Sequence, residues 1–475
     1  MPVRLTRRTA PLPTGIVHFG PGAFFRAFNA VYTAEANARN GQGWGITAVS
    51  LQSPTARDQL EPQGGAFTSV TLAPEGPEYR VVETISRVLV APEDPEAVLA
   101  ALADPQVRIV SLTITEKGYC HEPATGRLNP AHPGILADLA APGLPRTAPG
   151  FLVEGLARRR AAGLAPFVVL TCDNLPHNGK LARDVVLDFA RLRDPALAAW
   201  IERHVRFPST MVDRITPATT PADVERLAQA QGYHDPACVM HEPFRQWVIE
   251  RFDGPRPAWE VAGAQIVTDV APFETMKLRC LNGTHSTLAY LGYLAGHETI
   301  AQTVADAPFA ALCAYLWQAE IIPSIPAPEG VDLAAYAEAL LERYRNPAIR
   351  HRTWQIAMDG SQKLPQRLLG TVADNLAAGR PIRGLALAVA GWMYYVGGVD
   401  AQGRPIDVRD PLAAKLRAVS DGALTSKGTV AALLGVSEVF RPDLSANDRF
   451  REAVTWGYEG LVEHGPRAVV ERVVQ

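Results

Sequence analysis

The sequence predicts an α/β domain with a parallel sheet over residues 1–270, followed by a mostly α-helical domain over residues 271–475. Two observations predict this fold class. Short apolar runs alternate with helical patterns in the first part of the chain, which is typical of parallel strands joined by crossover helices. Beyond Pro272 the strand patterns stop and long helical patterns follow. A length of 475 residues suits two large domains.

Four buried strands are predicted in the first domain. Each is a short, β-branched apolar run bounded by polar or turn residues, as expected for the centre of a parallel sheet. They are Gly15–Phe19, Trp44–Leu51, Val107–Ile114 and Phe167–Thr171, and a helix from about Ala23 to Ala38 follows the first of them. The helical patterns of the second domain are Glu274–Leu294, Thr299–Ala319, Leu333–Tyr344, Leu385–Tyr395 and Arg449–Glu463.

Composition and charge exclude several classes of protein. The formal charge of −3 comes without a long run of one sign, so we expect no nucleic-acid partner. No window approaches ~18 uninterrupted apolar residues and the start lacks a signal-peptide pattern, so we expect no membrane partner. The five cysteines are scattered and share no close spacing, which favours a reducing compartment, the cytoplasm. The sequence does not indicate an oligomeric state.

The first predicted strand ends in a glycine turn, Gly20-Pro21-Gly22, and a helix follows. A strand, a glycine turn and a helix are what a Rossmann-type domain uses to bind the pyrophosphate of a dinucleotide. Phe25 occupies the third glycine position of that pattern, and a turn that merely needs glycine is the competing interpretation. No acid follows the second strand before Asp58, so the choice between NAD and NADP stays open on physical grounds.

Three polar residues lie within the helical pattern at the start of the second domain. On a regular α-helix, Asn282 would lie about 140° and His285 about 80° around the axis from Lys277. All three could then face one cleft, although a solvated polar face is the alternative. Because the helix is otherwise largely apolar, Lys277 is expected in partly dry surroundings, which favour the neutral amine that an acid/base catalyst needs.

A second polar group follows the strand that ends at Thr171. Ligands of open α/β sheets bind at the carboxyl ends of the strands, and Asn174 there could donate a hydrogen bond to a reacting oxygen. The competing interpretation is that Asp173 and Asn174 only shape the turn and cap the next helix.

Long stretches of the chain resemble the mannitol dehydrogenase family, the polyol-specific long-chain dehydrogenases and reductases. Residues 205–217, Val-Arg-Phe-Pro-Ser-Thr-Met-Val-Asp-Arg-Ile-Thr-Pro, resemble its signature element, and the spacing of Lys277, Asn282 and His285 matches its catalytic helix. Residues 20–27 are similar to its cofactor turn. Within the family, residues 281–294, 349–367 and 390–395 are most similar to the fructuronate reductases.

The resemblance implies an NAD-dependent, metal-independent enzyme that interconverts D-fructuronate and D-mannonate by hydride transfer. Lys277 would be the general acid/base, Asn174 and Asn282 would hold the reacting oxygen, and His285 would contact the substrate. Asp213 and Lys363 match positions that line the substrate pocket. The cofactor-binding residues would be Gly20, Gly22, Phe24 and Arg26. A metal is not expected, since paired Cys/His ligands are missing from the sequence.

Two departures from the family pattern bear on these expectations. Gln355 stands where mannitol dehydrogenases carry an arginine, which argues against mannitol and for a sugar acid. A carboxylate needs a cation, and one segment offers four candidates, Arg350, Arg352, Lys363 and Arg367, without indicating which of them points inward. Arg352 is expected, with Asp213 and Lys363, to bind the substrate. Phe25, Phe28 and Asn29 differ from histidines common in relatives. The alternatives are a mannitol, sorbitol or arabinitol dehydrogenase and, more remotely, a non-catalytic dinucleotide-binding sensor.

Overall fold

The computed structural model describes residues 2–122, 125–400 and 402–475 of the chain. The chain divides into two compact units, Met1–Ala271 and Pro272–Gln475, which we call unit 1 and unit 2. Among the residues described, no helix is long and apolar enough to cross a membrane.

Unit 1 is built on a parallel sheet of five strands. In chain order these are β1 (Thr14–Phe19), β2 (Gly45–Ser50), β3 (Ile85–Val90), β4 (Ile109–Leu112) and β5 (Val168–Thr171). Their order across the sheet is β5-β4-β1-β2-β3, with every neighbouring pair parallel. This is the strand order of a Rossmann fold. The first three strands are added toward one edge of the sheet, and from β4 on the strands are added on the other side of β1. The predicted fold class of the first domain is therefore confirmed.

Both faces of the sheet are buried, which explains why its strands are continuous apolar runs. Val17 and Phe19 of β1 pack into one hydrophobic core, whereas Ile16 packs into the other. Alternate residues of a strand point to opposite faces, so helices must cover both. The helices of unit 1 are Ala23–Ala27, Asn29–Asn40, Thr55–Leu60, Pro95–Ala103, Pro133–Ala140, Ala148–Ala161, Asn178–Arg193, Pro195–His204 and Pro221–Gln231.

Smaller sheets flank the central one. Strands Phe67–Ala73, Gly76–Val82 and Val239–His241 form one sheet of three, and Thr210–Asp213, Gln246–Glu250 and Gln265–Val267 form another. Two short pairs complete the strands of unit 1, Val3–Arg4 with Tyr233–His234 and His121–Glu122 with Arg127–Leu128. Single turns of 3₁₀-helix lie at Glu61–Gln63, Glu116–Tyr119 and Trp259–Ala262.

The helix predicted from Ala23 to Ala38 is interrupted. Phe28 has φ −126° and ψ −84°, which is not helical, and it separates a helix of five residues from the longer helix Asn29–Asn40. The Phe28 side chain is fully buried and packs against Tyr32 and Trp247, with ring centroids 5.1 and 5.7 Å away. Because tertiary packing of this kind is invisible in a local pattern, the break could not be predicted.

Unit 2 is almost entirely helical, which confirms the prediction for the second domain. A 3₁₀ turn at Ile322–Ser324 accompanies its helices. The α-helices are Ala271–Met276, which starts at the last residue of unit 1, then Thr284–Leu294, Ile300–Ala305, Ala307–Tyr315, Leu333–Arg345, Thr353–Ala357, Gly360–Leu364, Gly370–Ala377, Arg383–Val396, Ala413–Asp421, Ser426–Leu434, Pro442–Ser445 and Asp448–Val474. The last is kinked at Gly465, with φ +76°, immediately before Pro466.

Three stretches of unit 2 are π-helix: Lys277–Gly283, Leu316–Ile321 and Pro365–Leu369. The prediction of a regular α-helix from Glu274 to Leu294 was therefore wrong in its middle. Hydrogen bonds of a π-helix run between residues five apart, and such turns occur frequently at functional sites.

All five cysteines, Cys120, Cys172, Cys238, Cys280 and Cys313, are buried free thiols. Burial raises the pKa of each of them. A buried neutral thiol behaves as a small apolar side chain, so these residues contribute packing to the two units.

Gly20 sits at the end of β1 with φ +94°, and a Cβ atom there would lie 2.1 Å from the carbonyl oxygen of Thr113. We expect Gly20→Ala to lower the free energy of unfolding by ~3 kcal/mol or more, because it adds a backbone clash to an unfavourable φ. Gly41→Ala is the matched control: its φ is +63° and a Cβ there meets nothing within 4 Å, so ~1 kcal/mol is expected. Calorimetric unfolding compares the two, and equal losses would contradict the clash.

Candidate active site

The carboxyl ends of β1, β4 and β5 form one edge of the central sheet. β4 lies between the other two, so the turn after β1 and the residues after β5 are about 10 Å apart along the sheet. The Thr113 hydroxyl donates a hydrogen bond of 2.7 Å to the carbonyl oxygen of Gly20 and joins the turn after β1 to the end of β4. This edge lies where the strand order reverses, the usual ligand site of such sheets.

The two glycines of the turn differ in whether packing within the protein requires glycine at their positions. Contact with Thr113 demands glycine at position 20, whereas Gly22 has an ordinary φ of −71°. A Cβ on Gly22 would meet only the carbonyl oxygen of Gly20, at 4.0 Å, and would otherwise extend into open space. Packing within the protein therefore does not require glycine at position 22. The open space next to Gly22 would let a pyrophosphate group approach the backbone closely.

Phe25, at the third glycine position, packs against β1. Its ring is buried and stacks on the His18 imidazole with a centroid distance of 3.6 Å. Burial lowers the pKa of His18 to about 3, so this ring is neutral at pH 7. The aromatic residue thus packs against β1 and leaves the backbone of the turn accessible, a solution that the glycine pattern could not reveal.

The other two predicted cofactor residues also lie at this turn. The Arg26 guanidinium is buried and its Nη1 atom donates a hydrogen bond of 2.6 Å to the carbonyl oxygen of Pro21. Burial lowers its pKa to about 10, which leaves it charged at neutral pH. The half-buried Phe24 ring stacks on Phe28 at 5.0 Å. In this structure Arg26 therefore supports the shape of the turn.

Asp173 organises the end of β5. Its carboxylate accepts hydrogen bonds from the backbone N–H groups of Ile114 (3.2 Å) and Thr115 (2.8 Å) and from the Tyr119 hydroxyl (2.7 Å). Burial raises the pKa of this carboxyl group, although the hydrogen bonds oppose that shift. Asp173 therefore shapes the turn, as the competing interpretation held, and leaves the next side chain, Asn174, exposed at the edge.

Asn178 is a residue of this edge that sequence reasoning did not single out. Its amide donates to the carbonyl oxygens of Asp173 (2.9 Å) and Thr210 (2.8 Å), and its oxygen accepts from the Thr210 N–H at 2.9 Å. It thus fastens strand Thr210–Asp213 to the end of β5. Asp213, at the end of that strand, is buried. The neighbouring Arg214 donates a hydrogen bond of 2.6 Å to the carbonyl oxygen of Ala27, behind the glycine turn.

In unit 2 the three predicted catalytic residues lie on two consecutive helical segments. Lys277 and Asn282 lie at the two ends of one π-helical stretch, and His285 follows in helix Thr284–Leu294. Residues five apart are one turn apart in a π-helix, so Lys277 and Asn282 share a face and are not separated by the 140° of an α-helix. The three side chains are buried, at 8, 8 and 6% exposure.

Basic side chains surround His285. Its ring lies edge-on to His351, with a centroid distance of 4.6 Å, and stacks on Tyr344 at 5.2 Å. Burial, the neighbouring His351 and the positive charges of nearby cations lower the pKa of His285 well below its usual value, so this ring is neutral. Those cations, Arg343, Lys363 and Arg367, come from three separate helical segments.

Lys363 belongs to this basic group, whereas Arg352 does not. The Lys363 ammonium donates a hydrogen bond of 2.6 Å to the carbonyl oxygen of Met358. Burial and the nearby Arg367 lower its pKa to about 8. Arg352 is exposed just before helix Thr353–Ala357, and so is Gln355 within that helix. The basic run Arg350-His351-Arg352 could have suggested His351, but not which of the three side chains turns inward.

Comparison with known proteins identifies both units. Residues 14–261 match the mannitol dehydrogenase Rossmann domain, and residues 269–462 match the mannitol dehydrogenase C-terminal domain. The chain is 48% identical to D-mannonate oxidoreductase of Escherichia coli K12, over 97% of this chain and 95% of that protein. It is also 48% identical to the uncharacterized oxidoreductase YdfI of the same organism, over 96% and 94% of the two chains.

A solved structure shares the whole fold. The mannitol 2-dehydrogenase of Pseudomonas fluorescens, in its ternary complex with NAD and D-mannitol, superposes with a TM-score of 0.86 and 37% identity. The match covers 99% of this chain and 96% of that one. Matches to both domains and to full-length relatives show that this chain belongs to the mannitol dehydrogenase family of oxidoreductases.

Proposed function

We propose that this protein is an NAD-dependent oxidoreductase that interconverts D-fructuronate and D-mannonate. The observation that carries the proposal is the π-helical stretch that buries Lys277 and Asn282 on one face beside His285. In the reducing direction the reaction adds a hydride to the ketone carbon and a proton to the ketone oxygen. A lysine and an amide on one buried face can supply that proton and a hydrogen bond to the same oxygen.

Each residue has a defined part in this proposal. Lys277 gives the proton to the ketone oxygen during reduction and takes it back during oxidation. Asn282 and Asn174 donate hydrogen bonds to that oxygen, where negative charge develops. His285 is neutral and contacts the substrate as a hydrogen-bond partner, not as a charge. Asp213 and Lys363 are proposed to bind the remaining polar groups of the substrate, whereas the exposed Arg352 is proposed to have no part in binding.

The cofactor is proposed to bind at the glycine turn of unit 1. Gly20 and Gly22 would let its pyrophosphate approach the backbone, with Phe24 and Arg26 beside them, and the bound nicotinamide supplies the hydride. The space above Gly22 supports this assignment. NAD is favoured over NADP by the NAD-bound mannitol 2-dehydrogenase of the same fold. The buried free thiols support a reducing compartment, the cytoplasm.

The substrate is proposed to be a sugar acid on two grounds. D-mannonate oxidoreductase is similar over nearly the full length of both chains. Unit 2 also holds cations close to His285, which a neutral polyol does not require. A mannitol, sorbitol or arabinitol dehydrogenase is the second candidate, because the mannitol 2-dehydrogenase fold matches almost as completely. A non-catalytic sensor would not need the buried Lys277 and Asn282.

A cofactor at the turn predicts that Gly22→Ala weakens NADH binding at least ~10-fold without loss of stability. The added methyl group meets no protein atom closer than 4.0 Å, but it occupies the space proposed for the pyrophosphate. NADH fluorescence titration measures the affinity, and the melting temperature checks the fold. Unchanged affinity in Gly22→Ala would move the cofactor away from this turn.

Removal of the proposed acid/base should abolish most of the chemistry. We expect Lys277→Ala to lower kcat by about 10²–10⁴-fold while NADH still binds. Lys427→Ala, which changes an exposed lysine of unit 2, should keep full activity. Steady-state assays of both variants test the role, with melting curves as a check on folding. A normal kcat for Lys277→Ala would exclude this lysine from proton transfer.

The substrate can be identified with a panel of three ketones. Purified protein with NADH should reduce D-fructuronate with a higher kcat/KM than D-tagaturonate, and D-fructose should be poor because it has no carboxylate for the cations. NADH consumption at 340 nm, repeated with NADPH, reports both substrate and cofactor preference. Turnover of fructose alone would favour the polyol dehydrogenase instead.

A further inference from the structure

Arg367 is a cation without a balancing acid. Its Nη1 atom donates a hydrogen bond of 3.0 Å to the Ser286 hydroxyl, a neutral acceptor. In the described part of the chain it forms no ion pair with a carboxylate. The residue is partly buried, and this burial lowers the pKa of its guanidinium, yet an arginine remains charged in proteins. A partly desolvated charge without an ion-pair partner is unfavourable, so this position is suited to an anion.

The nearby Lys363 does not neutralise this position; it adds a second positive charge. The Lys363 ammonium is held by neutral carbonyl oxygens, those of Met358 at 2.6 Å and Ile356 at 3.5 Å. Its nearest carboxylate, Asp359, lies 4.0 Å away with a largely exposed side chain. Lys363 and Arg367 are therefore two partly buried cations close to each other, and Asp359 and Asp410 only partly oppose the lowering of the Lys363 pKa.

Two buried imidazole nitrogens mark the same position. His285 Nε2 and His351 Nδ1 have no hydrogen-bond partner among the residues described, although both atoms are shielded from solvent. Their rings lie 4.6 Å apart, and Ser286, which binds Arg367, is the residue after His285. A neutral imidazole can donate one hydrogen bond to an anion. The unused nitrogens and the unpaired guanidinium thus occur together.

The backbone of Arg367 contacts the π-helix that carries Lys277 and Asn282. A Cβ on Gly283 would lie 2.9 Å from the carbonyl oxygen of Arg367, so the π-helices Lys277–Gly283 and Pro365–Leu369 touch at this glycine. Asn282 directly precedes it. A ligand held by the Arg367 side chain therefore lies near the residues proposed to act on the ketone.

We propose that Arg367, assisted by His351, binds the carboxylate of the sugar-acid substrate and thereby sets the preference for acids over polyols. The inference rests on the proposed function and deepens it. A guanidinium offers two parallel N–H groups to a planar carboxylate, which gives orientation as well as affinity. Arg352, one of the four basic residues that the sequence offers for this role, is exposed and outside this basic group, and it is not the carboxylate ligand in this proposal.

The decisive comparison is between Arg367→Met and Arg352→Met. We expect Arg367→Met to raise the KM for D-fructuronate by about 10- to 100-fold, the range for loss of a charged hydrogen bond, and to leave the KM for D-fructose unchanged. Arg367→Lys should recover part of the loss because it restores the charge but not the paired N–H groups. Arg472→Met, an exposed arginine of unit 2, serves as the surface control.

Calorimetric titration with D-mannonate and D-mannitol separates this inference from the proposed function. The inference predicts that Arg367→Met loses binding of D-mannonate and not of D-mannitol. If the wild-type protein fails to reduce any sugar acid but binds D-mannonate through Arg367, the proposed reaction is wrong and the anion site stands. A selective defect in Arg352→Met, or an unchanged KM and affinity in a folded Arg367→Met protein, would overturn the anion site alone.

Discussion

The close contact between two π-helical stretches is the constraint on which the candidate chemistry of unit 2 depends. Gly283 lies against the carbonyl oxygen of Arg367 with no room for a side chain. The stretch that it ends turns Lys277 and Asn282 onto one face, and a regular α-helix would direct them about 140° apart. The π-helical stretch that places two polar side chains on one face thus ends at a backbone contact that leaves no room for a Cβ atom.

The sheet edge of unit 1 and the surroundings of His285 in unit 2 differ in how their buried polar groups are hydrogen-bonded. At the sheet edge of unit 1, the Asp173 carboxylate accepts hydrogen bonds from Thr115 and Tyr119. Asn178 donates to the Asp173 carbonyl oxygen and accepts from the Thr210 N–H, so the polar groups of this edge are tied together. Around His285 in unit 2, by contrast, His285 Nε2 and His351 Nδ1 have no hydrogen-bond partner among the described residues, and burial and nearby cations lower the pKa of His285. Unsatisfied buried groups lower stability, and rules of local consistency are broken mostly at functional sites.

Local patterns in the sequence predicted the parts of the fold that repeat over several residues. Four of the five central strands, the glycine turn and the longer helical patterns of unit 2 follow from apolar periodicity and turn chemistry, whereas strand Ile85–Val90 and the shorter helices of unit 2 were not predicted. The break at Phe28 and the π-helices do not follow from local patterns, because they depend on packing partners far along the chain. For the same reason, the run Arg350-His351-Arg352 predicted a basic segment but not that His351 would turn inward while Arg352 remained exposed.

The buried thiols can report local unfolding of each unit. Cys120, Cys172 and Cys238 belong to unit 1, whereas Cys280 and Cys313 belong to unit 2. Thiol reagents attack the thiolate, which is scarce at neutral pH when burial raises the pKa. Alkylation therefore requires that the surrounding structure open first. The rate of modification at each cysteine then measures local unfolding, and the two units can be followed separately within one intact chain.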